Sequence, residues 1–203
     1  MLRPIASLDH GIHAFSPDTL LALCWNVDLV TRSGFAFHVR PAALSDEPAL
    51  GAFFEDVDKE DLRFRFLSAV QKVRHSQLMA LVSVDHSATE NFLAIEPLTG
   101  RILATAMMAA DKAMETAEVA IAIRADFKGR GISWMLLEHV ARFAPSKGIK
   151  SLESIENRAN HQAIELERDM GWQAFPCPGD PGLIVLKTNL QPSQSAPLAE
   201  QSL

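Results

Sequence analysis

The residues best able to do chemistry cluster between Glu118 and Ser133. The run reads Glu118-Val-Ala-Ile-Ala-Ile-Arg-Ala-Asp-Phe-Lys-Gly-Arg-Gly-Ile-Ser133. Its alternating β-branched and small residues predict a strand that ends at Arg124. A basic, glycine-containing turn follows, and a helix is expected to begin near Gly131. This order of elements makes a cradle for an anion. Glycines let the backbone come close, several N–H groups converge, and the positive end of the helix dipole points at the same spot. Arg124, Lys128 and Arg130 place three cations within seven residues of a chain whose net charge is -6. That local reversal of sign points to a small, polyanionic ligand.

Several known cradles do not fit. A Walker A loop needs Gly-Lys followed by Ser or Thr, which is absent here. A dinucleotide fingerprint needs a third glycine three residues after the second, where this chain has Trp134. A nucleophile elbow fails because Gly131-Ile-Ser133 runs on into Trp134 and Met135. The competing reading is a helix start that merely carries surface basic residues. Upstream, Glu118, Ala120 and Ala122 share one face of the strand, and Val119, Ile121 and Ile123 the other. Small neighbours would leave room for a substrate beside Glu118, whose other reading is a solvated charge at a strand end. Glu115 falls on the opposite face.

These residues need a scaffold, and the composition supplies one. The chain has 203 residues, 48% hydrophobic and 22% charged, as expected of one globular domain with loose ends. Its acidic balance disfavours nucleic acid, because phosphate would repel it. Its apolar runs are too short to span a bilayer, and the N-terminus does not read as a signal peptide. Two cysteines, Cys24 and Cys177, are too few for a disulfide scaffold, so a cytoplasmic setting is expected. The spacing of His10 and His13 suits a metal, but no third ligand is near, so no metal is expected. His86 and His161 read as structural residues, and Met107 and Met108 as core. There is no tyrosine, so no phenol can act as acid or base.

Residues 1–35 read as an extension, with a short helix expected between Ser16 and Val30. It would either pack on the domain or move freely. Residues 191–203 read as a disordered tail. Between them, over 36–190, strands are expected at 35–40, 91–95, 101–110, 116–124, 151–155 and 183–187. Helices are expected after Ser45, over 58–70 and 77–84, after Gly131, and over 160–170. Three strands in a row, then helix, strand, helix and strand, imply an α+β layer structure rather than a doubly wound sheet.

Taken in this order, the chain resembles the GNAT superfamily of acyl-CoA-dependent N-acyltransferases, from about Phe37 to Leu190. The signature loop of that superfamily, Gln/Arg-x-x-Gly-x-Gly/Ala, is matched by Lys128-Gly-Arg-Gly131-Ile-Ser133. Downstream, Asn160-His-Gln-Ala163-Ile-Glu-Leu166-Glu167-Arg-Asp-Met-Gly171-Trp172 is similar to a second family pattern. Upstream, Val39-Arg-Pro, Asp46-Glu-Pro-Ala-Leu and Leu62-Arg-Phe-Arg-Phe-Leu resemble the acetyltransferase domain of bacterial acyl-CoA-synthetase-linked protein lysine acetyltransferases.

The resemblance implies a central mixed, mostly antiparallel sheet with helices on both faces. It implies transfer of an acetyl group from acetyl-CoA, as cosubstrate, directly to a primary amine of a protein lysine or a small molecule. Ile121, Ile123, Arg124, Lys128, Gly129, Arg130, Gly131, Ile132, Ser133 and Asn160 would contact CoA, with the Ile123 N–H facing the carbonyl oxygen. Asn160 could equally be a plain helix cap. Glu118 would be the general base, set among apolar neighbours. Glu167 stands where many members carry a tyrosine that protonates the leaving thiolate, so water or direct collapse is expected to take over that step. Lys128 in place of Gln or Arg keeps charge but loses the planar fork. Neither nucleic acid nor membrane is an expected partner, and a homodimer is compatible with the reading. The competing class is a non-catalytic acyl-CoA sensor or regulatory module.

Overall fold

The computed structural model describes residues 25–67 and 72–190. The expectations for His10, His13, Cys24 and the tail 191–203 lie outside these residues. Eight strands form one sheet: β1 (Val27–Val30), β2 (Ala36–Pro41), β3 (Thr89–Ile95), β4 (Ile102–Ala110), β5 (Thr116–Ile123), β6 (Ser151–Asn157), β7 (Gln173–Pro176) and β8 (Leu183–Asn189). Their spatial order is β1-β2-β3-β4-β5-β6-β8-β7. Every neighbouring pair is antiparallel except β5 with β6, which is parallel. The α-helices are α1 (Glu47–Glu55), α2 (Lys59–Phe66), α3 (His75–Val82), α4 (Ile132–Phe143) and α5 (His161–Asp169). None among the described residues is long and apolar enough to cross a membrane.

The sheet is covered on both faces. Leu50, Phe53, Leu62, Leu78 and Leu81 of α1 to α3 pack with Leu93, Ile102 and Ala122 on one side. Leu136, Val140 and Phe143 of α4 and Ile164 of α5 pack with Phe92, Ala104, Met108, Val119 and Leu152 on the other. Alternation of side chains along β3 to β5 sends neighbouring residues into different cores. Val119 and Ala122, one from each set, mark the two faces of β5.

Three elements differ from expectation. Val27–Val30 is a strand, not the end of a helix. Val27 and Leu29 pack on the core while Asp28 and Val30 point outward, a period of two that a helix cannot satisfy. The hairpin turns at Gly34, whose φ of 85° suits a residue without Cβ. The short strand β7 was missed because its only strong signal, Phe175, is followed by proline and stays largely exposed. Helix α2 also stops early: Leu67 caps it in a left-handed conformation with φ 46°.

His139 sits in the core under α4, its ring edge-on to Phe92 at 4.6 Å and to Trp25 at 5.4 Å. Its Nε2 has no hydrogen-bond partner among the described residues. Burial, with a smaller push from Arg142, pulls its pKa down to about 4. The native ring is therefore neutral where an unfolded histidine, of pKa about 6.5, takes up a proton. Stability should fall as pH drops from about 6.5 towards 4, by on the order of 2–3 kcal/mol. His139→Phe should flatten that acid limb when the thermal midpoint is followed against pH.

Candidate active site

The parallel strands β5 and β6 pair only over Thr116–Glu118 with Ser151–Glu153. Beyond these three rungs they diverge, and the rest of each strand borders a gap. The Arg124 N–H bonds to Leu103 on the β4 side, and the Thr116 carbonyl accepts from Asp111 on the same side. Strand alternation therefore turns the backbone groups of Ile121 and Ile123 towards the gap. The gap opens into a cleft of about 480 Å³. Its walls come from α2, β5, the loop before α4, the end of β6, and α5.

The loop is shaped as its glycines suggest. Gly129 and Gly131 hold φ of 70° and 84°, where a Cβ is penalised. A Cβ on Gly131 would also lie 3.4 Å from the Cβ of Thr31. The β1–β2 turn braces the loop from outside. Ser33 donates to the Arg130 carbonyl at 3.3 Å, and the Arg32 guanidinium lies 4.9 Å from the Trp134 ring centre. Among the described residues, the N–H groups from Gly129 to Trp134 have no hydrogen-bond acceptor. These free donors and the N-terminus of α4 could hold phosphate oxygens.

The three cations divide. Lys128 lines the cleft and is held by Asp58 at 2.6 Å and Asp61 at 2.5 Å. Arg124 bridges Asp56 at 2.6 Å and Asp126 at 3.0 Å, outside the cleft wall. Arg130 also lies outside, 4.5 Å from the Phe127 ring centre and bonded to the Asp126 carbonyl. Ile132 is fully buried, so its N–H rather than its side chain is what the loop can offer. Glu118, Ile121, Ile123, Lys128, Gly129, Gly131, Ile132, Ser133 and Asn160 all border the one cleft.

Asn160 takes the helix-cap role and lies at the cleft wall. Its Oδ1 caps α5 by accepting from the Ala163 N–H at 3.5 Å, and its Nδ2 donates to Glu156 at 2.7 Å. The expected burial of Glu118 is not met. Its side chain is exposed, because Ala120 and Ala122 are too short to cover it where β6 turns away. The buried carboxyls are two others. Burial pushes Glu156 up to about 7, against the hydrogen bond from Asn160 and the charge of Arg65. Burial also pushes Glu167 up to about 8, against a 2.6 Å hydrogen bond donated by Ser154 and with help from Glu156. Arg65 of α2 completes the cluster. Its Nε is buried without a hydrogen-bond partner among the described residues. Burial draws its pKa down, while Glu118 and Glu156 draw it up. Glu167 was readable as buried, since it lies three residues after Ile164 on the inward face of α5. Nothing local to Glu156 or Arg65 announces the cleft; only the fold brings them together.

Residues 54–172, more than half of the chain, match the Acetyltransferase (GNAT) family. The chain belongs to this family, and it is an acyltransferase enzyme. It is 22% identical to an acetyltransferase of Pseudomonas aeruginosa over 149 residues, 72% of this chain and 80% of that one. The GNAT domain of S. lividans PAT superposes with a TM-score of 0.76 at 26% identity, covering 82% of this chain and 98% of that domain. A GNAT phosphinothricin acetyltransferase of Sinorhizobium meliloti, solved in complex with AcCoA, shares the fold with a TM-score of 0.62 at 13% identity. That match covers 78% of this chain and 94% of that one.

The loop geometry yields a direct test. Gly131→Val puts a β-branched residue at a φ of 84°, with its methyls beside Thr31, so it should displace the free N–H groups. Affinity for CoA should fall more than about tenfold, or about 1.4 kcal/mol, while unfolding stays cooperative. Unchanged affinity in titration calorimetry would place the anion elsewhere.

Proposed function

We propose that the chain transfers an acetyl group from acetyl-CoA to a primary amine, with Glu118 as general base. The observation that carries this reading is the cleft itself. Unpartnered N–H groups stand at one end, the freed backbone edge of β5 runs along it, and a carboxylate stands at its mouth. The N–H groups from Gly129 to Trp134 would hold the CoA pyrophosphate, with Lys128 adjacent. The N–H groups of Ile121 and Ile123 would fix the thioester end, and that of Ile123 would face the carbonyl oxygen as it gains charge. Positioning supplies much of the rate, because the thioester is already activated.

Glu118 accepts a proton from the amine, directly or through water. It lies on the face of β5 covered by α2, so the acceptor would enter between α2 and β5. Its exposure suits that role, since the acceptor must arrive from solvent. Arg65 and Glu156 lie deeper in the same cleft and would fix its charge balance. A protein lysine and a small-molecule amine are both compatible with this mouth. The S. lividans and phosphinothricin relatives, with their different names, do not choose between them.

Glu118→Gln should lower turnover on the order of 10²-fold and leave affinity for acetyl-CoA within about twofold (under ~0.5 kcal/mol), because the anion loop lies at the other end of β5. Release of free CoA thiol, measured over a panel of amines, reports the first quantity, and calorimetry the second. Normal turnover by the variant at neutral pH would move the base elsewhere. A wild-type chain that binds acetyl-CoA yet acetylates no amine would favour the sensor reading.

A further inference from the structure

The chain has no tyrosine, and the function proposed above leaves one buried carboxyl of the cleft without a task. Glu167 is 5% exposed yet borders the cleft. It projects from α5, across the sheet from α2, whereas Glu118 stands on the α2 face. The two carboxyls thus approach the β5–β6 gap from opposite sides. One Glu167 oxygen, Oε2, accepts from Ser154 at 2.6 Å. The other, Oε1, has no partner among the described residues. A carboxyl that receives a hydrogen bond on one oxygen can carry its own proton on the other and present it to the cleft.

We propose that Glu167 is the general acid that protonates the departing sulfur of CoA. The inference rests on the acetyl-transfer reading. In the step, the nitrogen of the neutral amine forms its bond to the carbonyl carbon and gives one proton to Glu118. The carbon–sulfur bond breaks, its electron pair stays on sulfur, and sulfur takes the proton of Glu167. Solvent then removes a proton from Glu118 and returns one to Glu167.

The surroundings keep this acid loaded at neutral pH. Burial is the main cause of a pKa pushed up to about 8, and the charge of Glu156 adds to it, while the Ser154 hydrogen bond opposes it. The other charged groups of the cleft are Glu118 on β5 and, on α2, Arg65 and Asp61, the latter engaged with Lys128. Helix α5 also packs on β8, whose Lys187 pairs with Glu153 of β6 at 3.3 Å. Glu165 and Asp169 of α5 itself lie at the exposed rim. None of the cations is recorded within ion-pair distance of Glu167.

The test uses the full chain, acetyl-CoA and an accepted amine. Wild-type kcat should decline at alkaline pH as Glu167 ionises. Glu167→Gln keeps the shape and can still accept from Ser154. It should cut kcat by on the order of 10²-fold, remove the alkaline limb, and leave KM for acetyl-CoA within about twofold (under ~0.5 kcal/mol). Infrared difference spectra of the wild type should show a protonated carboxyl at neutral pH that Glu167→Gln lacks. Ser154→Ala offers a second handle, because losing that hydrogen bond should move the alkaline limb to higher pH without abolishing turnover. If Glu167→Gln retains both kcat and the limb, or Ser154→Ala leaves the limb unmoved, the proposal is overturned alone. A wild-type chain that acetylates no amine overturns the functional reading and this proposal with it.

Discussion

The short parallel pairing of β5 and β6 is the constraint on which the site depends. Three rungs hold the two strands, and then they part. Parting leaves backbone donors and acceptors of both strands without a ladder, and such groups are costly to bury unless something else bonds them. Here the gap opens into a cleft, where solvent or a ligand can bond those groups. Under the proposed reading, the edge of β5 that β6 no longer pairs would supply directed N–H and C=O groups to the cosubstrate. The same parting carries the end of β5 towards the anion loop and the end of β6 towards Asn160. Both halves of a long substrate would therefore find their contacts along one line.

The polar groups of the cleft are also ordered by depth. Glu118 lies at the mouth and is exposed; Glu156 and Glu167 lie inside and are pushed towards neutral carboxyls. Burying two carboxylates side by side would be expensive, so proton uptake is the cheaper state. Arg65 offsets part of that cost without forming a close ion pair among the described residues. The cleft therefore holds chemically identical side chains in different environments, one exposed and two buried.

Much of this was legible in the sequence because it is local. The strand, glycine turn and helix at 116–143 announce themselves by period and by Gly129 and Gly131. The mixed order of strands and helices excluded a doubly wound sheet. What was not legible depends on long-range pairing. Strand β1 takes its place only because β2 offers an edge, and its four residues are too few to show a clear period. Arg124, Lys128 and Arg130 lie within seven residues of one another and were read as one cationic patch. The tertiary structure disperses them, since acids from residues 56–61 arrive to claim two of the three. The burial of Glu156 likewise depends on α2 and α5 closing over the end of β6, which no window of sequence contains.

Those acids also explain how the two ends of the cleft stay in register. Asp58 precedes α2, Asp61 lies in its first turn, and both hold Lys128 of the loop. Asp56 holds Arg124 at the end of β5, and its carbonyl accepts from the Ala125 N–H at 3.1 Å. One turn beyond Asp61, the same helix delivers Arg65 to the glutamate cluster. Helix α2 is thus tied to the glycine loop at its start and reaches the glutamate cluster near its end. These partly exposed pairs add little stability individually. Their effect is geometric, because a shift of α2 would move Lys128 and Arg65 together. The pairing also reduces the net positive charge that the loop presents, so directed N–H groups, rather than loose cations, are left as the main attraction for an anion.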